Sequence, residues 1–120
     1  GVTICCGYAN GEGEDQGGGI YFSSTNSAPL ILDHCVVENN IAEEGSSIFN
    51  QKKMILSNSE VTDVAIPGVT ACSVLNSGSQ AEITLINSII TQQCVTCNEA
   101  VRNINGAKVN VINSASLLRN

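Results

Sequence analysis

Tryptophan is absent, and the only aromatic side chains are Tyr8, Tyr21, Phe22 and Phe49. A core assembled around large rings, common in compact domains of this size, is therefore excluded. Charge is scarce as well: charged residues make up 13% of the chain, and Lys plus Arg number 5 against 11 Asp plus Glu. The basic pair Lys52-Lys53 extends no further and makes no phosphate-binding stripe, so nucleic acid is not an expected partner. No apolar run reaches the roughly 18 residues that suggest a bilayer span, so no membrane span is expected. Gly1 is not followed by the basic, apolar and small-residue pattern of a secretion signal, which reads as a mature or excised segment. No Asn-x-Ser/Thr acceptor occurs, which excludes N-linked sugar at that sequon.

Hydrophobic residues nevertheless reach 42% of the 120, enough to place the chain among folded proteins as a single domain. They are chiefly Ile, Val and Leu, side chains that suit a pleated surface. Six cysteines, Cys5, Cys6, Cys35, Cys72, Cys94 and Cys97, form an even set in a small chain. That reads as disulfide-capable and as an oxidising compartment. The competing reading is a zinc site built on Cys94-Val-Thr-Cys97, but the other cysteines supply no second pair of that spacing.

The informative pattern is self-similarity. Leu30-Ile-Leu-Asp-His-Cys-Val-Val37, Met54-Ile-Leu-Ser-Asn-Ser-Glu-Val61, Ile83-Thr-Leu-Ile-Asn-Ser-Ile-Ile90 and Val109-Asn-Val-Ile-Asn-Ser-Ala-Ser116 superpose without a gap. His34, Asn58, Asn87 and Asn113 then fall in one column, at intervals of 24, 29 and 26 residues. A second register places Ile20, Ile48, Val74 and Val101 at intervals of 28, 26 and 27. A leucine-rich repeat of that length needs a helical half, and Gly, Asn, Ser and Thr interrupt every segment here. The apolar residues alternate with period two, as in Leu30/Leu32, Met54/Leu56, Ile83/Leu85 and Val109/Val111, which is the signature of strands.

The expected fold is an all-β parallel solenoid of about four coils, 24–29 residues each, without substantial helix. Strands are placed near 20–22, 30–32 and 35–37; 47–49, 54–56 and 59–61; 73–75, 83–85 and 88–90; and 100–102, 109–111 and 114–117. The coils run 17–44, 45–70, 71–98 and 99–120, after a partial coil and acidic Gly-rich loop at 1–16. The expected core is Ile20, Ile48, Val74, Val101 and the four alternating pairs above. Asn tolerates the left-handed backbone of a sharp bend, and stacked at strand spacing its amide can bond to its own copy in the next coil. A structural ladder is therefore expected along His34, Asn58, Asn87 and Asn113, and along the second column Asn50, Asn76 and Asn103. His34 reads as the bend residue that ends the first of these.

With these residues aligned, the chain resembles the right-handed β-helix repeats of the pectin-lyase-like superfamily. Gly17-Gly-Gly-Ile20 and its echo Gly45-Ser-Ser-Ile48 are similar to the GGA[ILV] motif of polymorphic outer-membrane proteins. The resemblance covers residues 17–120. It implies a right-handed solenoid and a secreted or surface-displayed stalk, adhesin or fibre.

That superfamily includes polysaccharide lyases and hydrolases, so catalysis has to be weighed. Such sites gather carboxylates on one face, for Ca²⁺ beside a base or as a catalytic pair. In the alignment Asp33 falls opposite Ser57, Ile86 and Ile112, and Glu60 falls opposite Val36 and Ile89, so each acid stands alone in its column. No enzyme activity and no cofactor are expected. Glu12, Glu14 and Asp15 form the best candidate for a Ca²⁺ loop, with a solvated acidic loop as the simpler reading. The threonines do not share a column, which argues against an ice-binding face. Cys72 and Cys97 precede the equivalent residues Val74 and Val101, so a disulfide between neighbouring coils is the pairing that spacing favours.

No capping element is recognisable, since Leu117-Leu-Arg-Asn120 and Val2-Thr-Ile both read as strands of incomplete coils. The sequence thus points to an extracellular or cell-surface structural or adhesive solenoid. It is either a segment of a larger surface protein, packed on its neighbouring parts, or a subunit that self-associates through open ends into a filament. The alternative is a polysaccharide-binding or polysaccharide lyase- or hydrolase-like β-helix domain.

Overall fold

Segments that repeat one apolar spacing can each bury their hydrophobic face only against a copy of themselves. The computed structural model, which describes residues 1–9, 16–62, 72–91 and 100–116, stacks them in that way. The described residues are all-β, without a helix, in strands β1 Thr3–Cys5, β2 Tyr8–Ala9, β3 Ile20–Phe22, β4 Leu30–Asp33, β5 Val36–Glu38, β6 Ile41–Ala42, β7 Ile48–Asn50, β8 Lys53–Ser57, β9 Glu60–Val61, β10 Val74–Ser77, β11 Glu82–Ile86, β12 Ile89–Ile90, β13 Val101–Ile104, β14 Lys108–Ile112 and β15 Ala115–Ser116.

Every pairing is parallel and in register. One sheet has the order β1-β5-β9-β12-β15, a second β3-β7-β10-β13, a third β4-β8-β11-β14, and β2 pairs with β6. In the third sheet Leu30 faces Met54, Met54 faces Ile83 and Ile83 faces Val109, the columns that the sequence alignment predicts. In the second, Ile20, Ile48, Val74 and Val101 stack likewise. These are the stacked parallel strands of a β-solenoid.

Alternate side chains point inward, where Leu32, Val37, Ile48, Met54, Leu56, Val61, Val74, Ile83, Leu85, Ile90 and Val101 form the main core, with Ile20, Leu30 and Val109 packed partly buried against it. Each fully buried aliphatic side chain contributes about 1.5–3 kcal/mol. Val111 is the exception among the expected core residues. Its counterpart Leu85 is fully buried, whereas Val111 is 46% exposed because β14 is an edge strand of its sheet among the described residues. A second, smaller cluster of Phe49, Cys72 and Leu75, with Ile104, lies apart from the main core, and the ring of Tyr21 stacks on Phe49 at 5.1 Å.

The bends explain two sequence motifs. His34, Asn58, Asn87 and Asn113 all have positive φ, between 46° and 52°, so one left-handed residue turns the chain between the third and first sheets at every level. Gly17 and Gly45 occupy equivalent left-handed positions, φ 62° and 59°, three residues before Ile20 and Ile48. A Cβ on either glycine would lie 2.3 or 2.2 Å from the carbonyl oxygen of Ile20 or Ile48, so only glycine fits. Pro29 immediately precedes β4, which pairs on one side only among the described residues.

Candidate functional site

Three features arise where side chains of successive levels converge: two polar ladders and one basic cleft. The first ladder is inside. Asn50 and Asn76 are fully buried on the inward face, two residues after Ile48 and Val74. The Asn50 amide donates to Asn76 Oδ1 at 2.8 Å, and Asn76 donates to Asn103 Oδ1 at 2.8 Å. Asn76 and Asn103 also donate to the carbonyls of Lys108 and Ala107, at 2.9 and 2.6 Å, which ties the ladder to the backbone between the second and third sheets.

The second ladder follows the bend. The backbone N–H groups of Cys35, Ser59 and Ser88 donate to the hydroxyls of Ser59, Ser88 and Ser114 at 3.0, 3.1 and 3.0 Å. Those hydroxyls donate to the carbonyls of Ser57, Ile86 and Ile112 at 2.8–2.9 Å. Serine, one residue after the left-handed position, satisfies backbone groups that the bend removes from the sheet.

At the bend itself Asn58 behaves differently from expectation. Instead of bonding to its copy, the Asn58 amide donates to Asp33 Oδ1 at 3.3 Å and to Ser57 Oγ at 3.1 Å. The amide-to-amide bonds run in the Asn50, Asn76 and Asn103 column. His34 Nδ1 lies 3.1 Å from Asp33 Oδ2. The His34 and Asn58 hydrogen bonds hold the Asp33 carboxyl below the ordinary aspartate range. His34, Asn58, Asn87, Glu60 and Ile89 line a shallow, open groove along this bend.

The third feature was not apparent along the chain. Lys52, Lys53 and Lys108, three of the five basic residues, line one cleft of about 390 Å³, together with Glu82, Gln80 and Asn26. Lys53, Glu82 and Lys108 occupy one column of the third sheet. Lys53 and Lys108 are two strand spacings apart, about 10 Å, with the opposite charge between them. Lys52 Nζ is hydrogen-bonded to Gln80 Oε1. The cleft can therefore present ammonium donors to an anionic ligand, while Glu82 disfavours a negative centre between Lys53 and Lys108. The signal was in the alignment already, since each of the three precedes Met54, Ile83 or Val109.

Of the remaining candidates, Cys5 and Cys6 are exposed thiols and Cys35 is a buried thiol. Cys72 belongs to the smaller cluster. Cys94 and Cys97, and with them the expected Cys72–Cys97 bridge and the zinc alternative, lie outside the described residues. So does the Ca²⁺ loop candidate Glu12, Glu14 and Asp15. Glu44 accepts from Gln16 Nε2 at 2.6 Å. No family model, curated protein or solved structure matches this chain.

Proposed function

We propose that the chain is a right-handed parallel β-helix of about four coils, of the pectin-lyase-like kind, acting outside the cell as a structural or adhesive element and not as an enzyme. The carrying observation is where the polar groups are used. Buried Asn50 and Asn76, and the serines of the bend, each bond to the neighbouring level, and Asn50 and the serines also tie down the backbone of their own, so the polar groups of the interior serve stacking. Right-handedness is favoured because parallel strands joined by crossovers take that hand in about 98% of cases.

The stack is either part of a larger surface protein or a subunit that joins others end to end. The half-exposed Val111 and Ile112 on β14 form the surface that a following strand would cover, whether from the same chain or from a second copy. Sedimentation and negative-stain microscopy across a concentration series test this. Elongation that grows with concentration supports the filament; monodisperse particles at every concentration overturn it and leave the segment reading.

The lysine cleft favours a second reading, binding of an acidic polysaccharide at the surface. Retention of the chain on a sulfated or uronic polymer, lost with rising salt and in the Lys53→Gln/Lys108→Gln variant, is the expected result. Equal retention of variant and parent removes it. Polygalacturonate incubated with Ca²⁺ and the chain tests the lyase alternative, and release of unsaturated product overturns the non-enzymatic reading.

A further inference from the structure

The two exposed thiols at the end of β1 stand in an unusual setting. Cys5 is the last residue of the strand and Cys6 the first beyond it, and their sulfurs lie 3.0 Å apart. Contact between adjacent cysteine sulfurs needs a particular backbone, and Cys6 has φ 67°, left-handed and costly for a residue with a Cβ. The equivalent residue one level on is Asn39, also left-handed at φ 55°. Cysteine thus occupies a bend position that asparagine fills in the next strand.

Buried Asn40 holds this conformation from both sides. Its Nδ2 donates to the carbonyl of Ile4 at 3.1 Å, and its Oδ1 accepts from the N–H of Gly7 at 2.9 Å. The Cys6 N–H donates to the carbonyl of Asn39 at 3.1 Å. The backbone on either side of the pair is therefore fixed to one fully buried side chain, while both sulfurs face solvent. Much of the entropy lost in bringing two sulfurs together has already been lost in folding.

We propose that Cys5 and Cys6 form a reversible redox site that closes into a vicinal disulfide on reaction with a low-molecular-weight disulfide. One thiolate attacks a sulfur of the oxidant and displaces a thiolate; the second cysteine then attacks the mixed disulfide and displaces the other half. Two S–H bonds are lost and one S–S bond forms; the oxidant gains both electrons and, with the two protons, leaves as two thiols. The Cys5 thiol is pushed up, first by its hydrogen bond with Cys6 and then by the charges of Cys6 and Glu38. Adjacent Cα atoms are about 3.8 Å apart, whereas ordinary disulfides span about 4.4–6.8 Å, so the bond should be easily reduced again. This inference is independent of the adhesive reading, because its readout is thiol chemistry alone.

The test is to equilibrate the reduced full chain in glutathione buffers of rising oxidised fraction, block remaining thiols with N-ethylmaleimide, digest without reductant and weigh the peptide carrying both cysteines. The expected product is that peptide lighter by two hydrogen atoms and unblocked. It should form at about a tenfold lower oxidised-to-reduced ratio than in the urea-unfolded chain. Asn40→Ala should remove most of that advantage. Cys5→Ser and Cys6→Ser should each accumulate a glutathione adduct instead. The proposal is overturned if the parent chain accumulates glutathione adducts on the pair, if either cysteine bridges elsewhere, or if folding brings no advantage. Because the parent chain alone yields the deciding peptide, a variant that fails to fold does not obscure the answer.

Discussion

Asn58, Asn87 and Asn113 stack at one bend, and Asn50, Asn76 and Asn103 stack in another column, yet the two rows use asparagine for different properties. At the bend it is the backbone that matters: φ is positive at every level, and the Asn58 amide is turned toward Asp33 and solvent. In the other column it is the side chain that matters, because the amides of Asn50 and Asn76 are buried and joined head to tail. Repetition of a residue at one period therefore identifies a column but not the reason for it. Burial and φ decide that reason.

Substitution separates the two. Asn76→Ala removes the acceptor of Asn50 and two donated bonds from a buried site, and should destabilise the fold by about 3 kcal/mol in chemical denaturation. Asn76→Gly should cost at least as much. If Asn76→Ala shifts stability by less than about 1 kcal/mol, the inner ladder is not a stabilising element. Ser88→Ala should cost about 1–2 kcal/mol, since it leaves the Ser59 N–H without its acceptor; amide exchange at Ser59 should accelerate with it. Asn87→Ala should cost about 1 kcal/mol through its left-handed backbone, whereas Asn87→Gly should stay within about 0.5 kcal/mol. Equal losses for Ala and Gly there would erase the distinction between the columns.

The smallest expected effect is electrostatic. The Asp33 carboxyl has a lowered pKa when folded, so its contribution is present above the ordinary aspartate range and is lost as pH falls through the folded value. A carboxyl titration followed by NMR should show its midpoint below about 3.9, and His34→Ala or Asn58→Ala should each raise it. A midpoint unmoved by both substitutions removes the proposed partners.

The stacked sheets were legible because parallel in-register strands place equivalent residues side by side, so a gapless alignment of Leu30, Met54, Ile83 and Val109 is already a map of pairing. Strand bounds expected from period-two alternation differ from those observed mainly by a residue at the ends, as at β8 Lys53–Ser57. What the sequence hid was lateral. Lys52-Lys53 looks negligible as a run, yet Lys108 and Glu82 join it across the levels. The cluster of Phe49, Cys72 and Leu75 escaped because a period-two pattern assigns one face to the core and leaves the other to solvent. Strands β2 and β6 pair only with each other among the described residues, so no repeat at later levels marks them.

Pro29 bears on what can pair with the first strand of the third sheet. In its column the later residues Glu82 and Lys108 donate their N–H groups back to the preceding level, to the carbonyls of Lys52 and Ala81. Proline has no N–H to offer in that direction. A strand approaching β4 from the side on which no described strand pairs with it meets a gap in the row of donors, a device that discourages adventitious pairing. The opposite edge among the described residues, at β14, carries no proline, so the two edge strands of this sheet are chemically unlike.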